Sequence, residues 1–277
     1  MFDTTTNSLV LKPDQVEALL VAPALEQSIA AQITTIMRTD RHRVRFPRLA
    51  TDPTAHWTSE GEEIKTSDPQ FDEVLAEPRK VAGLVIVTNE MMDDAEPVAL
   101  NQIGAGLVRQ ITNSIDQAFF TSLPSPAPAG ITGITPTELN VGAALTNLDW
   151  AEEAIALAAT AKSHISTFVC HPDDALALAL LKESAASNRG LLQSDPAQPT
   201  VRSIAGVPLI TSTHVSVGTI WGIPKETAHT VVRKQAEVKS DASVMFTSDR
   251  VAIRGVMRVG FAFPHEAGIV KVTHAVA

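Results

Sequence analysis

Between Lys80 and Thr121 the chain reads KVAGLVIVTNEMMDDAEPVALNQIGAGLVRQITNSIDQAFFT, and the spacing of its apolar residues changes once along the way. Lys80–Val87 is a nearly continuous apolar run, the pattern of a buried strand. Asn89–Asp94 interrupts it with mostly polar residues. From about Glu96 to Thr121, Ile103, Leu107, Ile111, Ile115 and Phe119 recur at every fourth position, joined by Leu100, Val108 and Ala118. Such spacing lays one apolar stripe along an α-helix. About 25 residues at ~1.5 Å each make a rod roughly 38 Å long. Three prolines and two glycines between Leu123 and Gly133 end it.

Upstream of this stretch, residues 46–80 carry Pro47, Pro53, Pro69 and Pro78 around short strand-like pieces such as Arg43–Leu49 and Gln70–Leu75. Between them Trp57–Asp68 is polar and acidic, with Glu60, Glu62 and Glu63 around Gly61. Prolines near strand edges and a glycine-bearing tip predict a long two-stranded excursion. A lone hairpin is marginal in water, so this one is expected to rest on a neighbouring subunit. Residues 1–45 begin polar and then space Leu19, Leu20, Ala24, Ile29, Ile33 and Ile36 at helix-like intervals broken by Pro23. They predict an extended arm or two short helices.

Downstream, Thr146–His164 reads as a helix with Asp149 as N-cap and Glu152 placed for a capping box. Ile165–Cys170 reads as a strand. Pro172, Asp173 and Asp174 then open a helix over Ala175–Ser187, since proline suits a first turn and carboxylates suit the positive helix end. Asn188–Thr200 is a loop, and Ile204–Ser212, Thr219–Ile223 and His229–Arg233 are short strands. The strongest strand signal comes later: Val251, Ile253, Gly255, Met257, Val259, Phe261 and Phe263 alternate, with Arg254 and Arg258 on the other face. A final strand falls within Gly268–Val276. The fold class is α+β, with mostly antiparallel sheet.

Composition narrows the functional classes. The 277 residues are 44% hydrophobic and 19% charged, which is ordinary globular usage. Neither a secretory leader nor a membrane-spanning run of about 18 apolar residues is visible, so a soluble cytoplasmic product with no membrane partner is expected. The single cysteine, Cys170, excludes an internal disulfide framework and reads as a small buried hydrophobe. Its neighbour His171 would point to the opposite face of a strand, so a Cys-His nucleophile is set aside. Net charge is −9; residues 201–277 hold nine Lys/Arg against five Asp/Glu, leaving −13 for the first 200. Such acidity disfavours general nucleic-acid binding but lets a protein lie near DNA without adhering to it.

Catalytic motifs are missing. Gly104 and Gly106 start a dinucleotide-like pattern inside the helix, where close packing explains them better. No nucleophile elbow or paired-histidine zinc motif occurs, and the eight histidines are scattered. Asp93/Asp94 and Asp173/Asp174 suit helix starts, and Glu60, Glu62 and Glu63 suit a solvated or subunit-bridging tip. No cofactor, metal or catalytic residue is expected. The dense basic cluster Arg38, Arg41, Arg43, Arg45 and Arg48 lacks aromatic platforms for bases and reads as an interface for carboxylates.

The order of pieces resembles tailed-phage major capsid proteins of the Hong Kong 97 type. Phe71–Ala82 followed by Val85–Asp94 looks like that family's return strand and the approach to its spine helix. Ser114–Phe120 followed by Pro128–Ile131 is similar to the exit from that helix. Ile204–Ile210 resembles the turn into its axial domain, and Arg254, Arg258 and Pro264 match its last long strand. The resemblance runs from about Pro47 onward. It implies an HK97-like fold with an N-terminal arm (1–45), an extended loop (46–80), a peripheral domain with a long spine helix (81–122 and 226–277) and an axial domain (123–225).

It further implies hexamers and pentamers in an icosahedral shell, assembled in the host cytoplasm and carried in the virion. That shell encloses packaged double-stranded DNA without sequence-specific binding. Partners would be more copies of the chain, a portal and, where present, scaffolding or cement proteins. The sequence shows no long charged helical leader, so any scaffold is expected as a separate chain. The interface residues expected on this reading are Arg38, Arg41, Arg43, Arg45, Arg48, Trp57, Glu60, Glu62, Glu63, Arg254 and Arg258. The alternatives are an encapsulin-type nanocompartment shell and a soluble hydrolase with a noncontiguous site.

Overall fold

The computed structural model describes residues 22–51, 53–63, 66, 70–88, 97–183, 190–192, 202–233 and 237–275. Leu19, Leu20, Asp93, Asp94 and most of the loop expected at Asn188–Thr200 lie outside the described residues. The chain begins with α1 (Ala22–Gln27), α2 (Ile29–Ile33) and β1 (Thr35–Thr39). Then come β2 (Val44–Thr51), β3 (Gln70–Ala76), β4 (Arg79–Thr88) and α3 (Pro97–Phe120). β5 (Thr137–Asn140), α4 (Asp149–Thr160), β6 (Thr167–Cys170) and α5 (Pro172–Leu180) follow. Last are β7 (Arg202–Ile204), β8 (Val207–Thr211), β9 (Thr219–Ile223), β10 (His229–Arg233), β11 (Glu237–Met245), β12 (Arg250–Ala262) and β13 (Val270–Thr273).

One sheet runs β1-β10-β12-β11, with β4 also paired to β12. β12 pairs antiparallel with β10 and then β11 along one edge and with β4 along the other, so it is the central strand. α3 lies on one face of this sheet. Gly83 and Gly255 are cross-strand partners there. A Cβ on either would fall 2.3 or 2.9 Å from a Leu107 methyl, so the two glycines form the dimple that seats that side chain. Leu107, Val108, Ile111, Ile115, Ala118 and Phe119 are all buried, which is the predicted stripe from Leu107 onward; the side chains of Leu100 and Ile103 lie outside those described.

β4 departs from the expected buried strand. Val81 and Val85 pack against the α3 core, whereas Leu84 and Ile86 on the opposite face are 62% and 43% exposed. A helix covers only one face of this outer strand, so the apolar run is half used within the subunit. The alternation in β12 holds as read: Arg254 and Arg258 pair opposite Leu84 and Lys80 on the uncovered face.

The second sheet has the order β5-β13-β9-β6-β8-β7. Its two faces serve two cores. Val169, Trp221 and Ile223 join the α3 core with Phe119 and Ile131. Phe168, Cys170, Ile220, Val270 and Val272 join Trp150, Ala154, Ala158 and Leu178 of α4 and α5. Burial on both faces explains why the chain is apolar without alternation before Cys170. β13 therefore stands in this sheet, beside β5 and β9.

Several boundaries differ from expectation. Asp149 is the first helical residue of α4, not its cap; Leu148 holds the cap position without a side-chain hydrogen bond. Asp149 and Glu152 thus act through the positive helix end, and Asp149 also accepts from the Asn147 side-chain amide. α5 already starts at Pro172, capped by the His171 ring, and stops at Leu180, where Leu181 turns extended. The strand expected over Ile204–Ser212 is a hairpin, because Ala205 and Gly206 both have positive φ and turn the chain between β7 and β8.

The arm region also splits. α1 and α2 are short helices as expected, but Ile36 lies on β1, which pairs in parallel with β10. α2 is tied to α3 by a buried carboxylate. Asp116 accepts hydrogen bonds from Ser28 Oγ (2.7 Å), Ala30 N (3.0 Å) and Ile29 N (3.1 Å). Ser28 and Asp116 are both buried, so a residue 88 positions away completes the cap of this helix.

Candidate subunit interface

The excursion read from the prolines is a hairpin of β2 and β3, with Arg45 opposite Leu75 and Arg48 opposite Asp72. That register brings acids to the arginines. Arg48 Nε and Nη2 both donate to Asp72 Oδ2, at 2.9 and 2.7 Å. Arg45 meets Glu73 at 3.1 Å, and Arg43 meets Glu77 at 2.6 Å. The Arg48 hydrogen bonds hold the Asp72 carboxyl below its ordinary range. Arg38 sits on β1 and Arg41 in the exposed turn after it. Arg43, Arg45 and Arg48 of the basic cluster thus have partners at their own hairpin. Asp72, Glu73 and Glu77 were missed as site residues; the signal was the antiparallel register itself, once the turn is placed near Glu60.

At the hairpin base Phe46 stacks on His229, ring centroids 4.8 Å apart, over a small core with Ala76, Val231 and Ala262. Burial pushes the His229 pKa down. The unfolded chain then binds a proton more readily than the folded one. Stability contributed here is present above the ordinary value near 6.5 and is lost as pH falls through it. We expect the urea midpoint of the wild-type subunit to drop between pH 7 and 5.5 more than that of His229→Phe, which keeps the ring. Equal drops would remove His229 from the account.

The hairpin tip is polar. Glu62 N donates to Ser59 O at 3.1 Å, closing a turn with Gly61 at φ 90°. Glu60, Glu62 and Glu63 are exposed, and Trp57 is exposed over its whole surface at 106%. Phe71 and Leu75 on β3 are 73% and 45% exposed. Among the described residues these acids meet neither arginine group: Arg43, Arg45 and Arg48 pair with Glu77, Glu73 and Asp72, and Arg254 and Arg258 stand on the open face of β12.

Cys170 is buried, and burial pushes its thiol up to about 12, which makes it inert. The His171 ring accepts from Asp173 N at 3.2 Å and is occupied as a cap. Among the described residues no three His, Cys, Asp or Glu are grouped to hold a metal ion, and no helix is long and apolar enough to cross a membrane.

The comparisons with known proteins point one way. A model of the phage capsid family matches residues 9–274. No curated protein matches the sequence at a significant level. Among solved structures, a chain of Mycobacterium phage Adephagia has a TM-score of 0.73 at 18% identity, covering 90% of this chain and 91% of that one. A chain of Microbacterium phage Oxtober96 has a TM-score of 0.72 at 16% identity, with coverage of 90% and 91%. The capsid of an empty GTA particle has a TM-score of 0.74 at 16% identity, covering 100% of this chain and 94% of that one. Identities this low carry the fold, and the family match spans nearly the whole sequence. A hairpin excursion, a long helix seated on β4 and β12, and a second mixed sheet make the Hong Kong 97-type α+β fold, and this chain belongs to the phage capsid family of structural proteins.

Proposed function

We propose that the chain self-assembles, as hexamers and pentamers, into the icosahedral shell that encloses packaged double-stranded DNA of a tailed phage. One observation carries this reading. Trp57, Phe71, Leu75, Leu84 and Ile86 are large apolar side chains left in solvent on the hairpin and the open face of β4. Exposed apolar surface of that extent calls for a partner, and a shell subunit supplies it with copies of itself. On this reading residues 1–45 are the arm and 46–80 the extended loop. Residues 81–122 with 226–277 form the peripheral domain, β13 reaching across to the axial sheet, and 123–225 form the axial domain. A portal, scaffolding or cement proteins and the genome are partners, with assembly in the host cytoplasm.

Size-exclusion with light scattering and electron microscopy test it together. Pentamers, hexamers or shells are expected, and a folded monomer at high concentration would sink the proposal. Nucleic acid inside particles from infected cells separates a phage shell from an encapsulin-type compartment, which would hold enzyme cargo instead.

The acidic tip is the second part of the proposal: Glu60, Glu62 and Glu63 meet a basic surface on a neighbour. With Arg43, Arg45 and Arg48 already paired in their own hairpin, the surface around Lys80 at the start of β4 is the better match. Reversing all three glutamates to lysine should raise the concentration needed for assembly by about tenfold, with circular dichroism unchanged. The defect should shrink in high salt, because exposed charges are screened over about 8–10 Å. Normal assembly at low and high salt would leave the tip merely solvated.

A further inference from the structure

Beside the start of β4 lies an open apolar groove of about 360 Å³, bounded by Val81, Ile115, Leu123, Pro128, Val259 and Phe261. It forms where the proline-rich segment after α3 bends away from the helix and the sheet. Arg79 and Lys80 stand at its rim. Arg79 pairs with Glu77 at 2.7 Å, but that one carboxylate also serves Arg43 at 2.6 Å, so the three groups keep a net positive charge. Lys80 beside Arg79 has no acidic partner among the described residues. A rim with more cationic than anionic side chains favours an incoming carboxylate.

The same chain carries the matching shape elsewhere. Trp57 at 106% exposure touches nothing in its own subunit, and Glu60, Glu62 and Glu63 follow it within six residues. We infer that Trp57 of one copy inserts into this groove on the next copy, with its glutamates toward Arg79 and Lys80 at the rim. The inference rests on the proposal that copies assemble, and it names the seat of the loop tip. Knob and hole occupy different places on the chain, so the contact is head-to-tail and closes into rings when the rotation allows. The competing seat is the flat face bearing Leu84 and Ile86. A groove walls an indole on several sides and excludes water from the contact, which a flat sheet face does not.

Tryptophan fluorescence reads this directly. The chain has three tryptophans, and Trp150 and Trp221 are only 2% and 4% exposed. Acrylamide should therefore quench one of three in the unassembled subunit and none in assembled particles, whose emission should move to shorter wavelength. Trp57→Ala should raise the assembly concentration by about 30-fold, as a tryptophan anchor does, without altering circular dichroism. Ala127→Phe or Ser114→Phe, each filling the groove from an accessible position, should give the same defect and leave Trp57 quenchable in any particle formed. Ile86→Ser should not. If Trp57 stays quenchable in wild-type particles, the inference falls while self-assembly stands. Release of Trp57 by Ile86→Ser alone would overturn it in favour of the flat face. Absence of any assembly would overturn the proposal on which both rest.

Discussion

Alanine in place of Gly130 is expected to leave little folded subunit. A Cβ there would lie 2.2 Å from the Ala118 carbonyl oxygen and 2.3 Å from that of Phe119. These are carbonyls of the last turn of α3, and they are backbone, so no side-chain rotation relieves the overlap. Either the helix end or the returning chain must move, and both are anchored. Phe119, Phe120 and Ile131 are each at most 3% exposed, and the Phe119 ring packs edge-on against Phe120 and Phe261. The cost should be about 3 kcal/mol or more, at the upper end of overpacking effects. Gly133→Ala is the control. Its nearest contact would be the Ala129 methyl at 3.6 Å, an ordinary van der Waals distance, and it should cost less than about 1 kcal/mol. Urea unfolding of the two variants separates them; equal midpoints would mean that the chain does not pass so close to the helix end.

Asp116→Ala should have the next largest effect. It removes one acceptor group and strands three donors, Ser28 Oγ and the amides of Ile29 and Ala30, in a buried place. Buried donors left without partners cost about 1–3 kcal/mol, and a lost cap about 1, so a total near 3 kcal/mol is expected. Asp116→Asn keeps the shape and one accepting oxygen, and should fall between. Hydrogen exchange locates the damage. The amides of Ile29 and Ala30 should exchange faster in Asp116→Ala, while those in the middle of α3 should hold their protection relative to global stability. Unchanged exchange at Ile29 and Ala30 would show that Asp116 does not hold α2.

What could be read from the sequence depended on how local the cause is. The α3 stripe and the alternation of β12 are periodicities, set by the geometry of single elements, and both appear as read. The hairpin was legible because prolines and a glycine mark its strands and tip. The parallel pairing of β1 with β10 was not, since its cause is a partner about 190 residues away. Ile36 fits a helical spacing equally well until that partner is known. β4 failed for a related reason: an apolar run says that a strand will be covered, but not whether its own chain does the covering. At the candidate interface, the acidic tip and Trp57 lie in solvent, where their spacing put them. The arginines did not stay free, because cross-strand register delivered Asp72, Glu73 and Glu77 to them.

The strands that complete the two large sheets, β12 and β13, follow every other described strand in the chain. β4 and β11 find their only described partner in β12, and β5 finds its own in β13. A nascent chain still lacking residues 250–273 has outer strands with nothing to pair on, and its long helix has no finished floor under Leu107. Contacts of such sequence separation fold slowly and late. Folding is therefore held back until residues 250–273 have emerged. A chain released before residue 250 lacks the strand on which β4 and β11 pair, so on the proposed self-assembly reading it is material for proteolysis and not a defective tile in a shell.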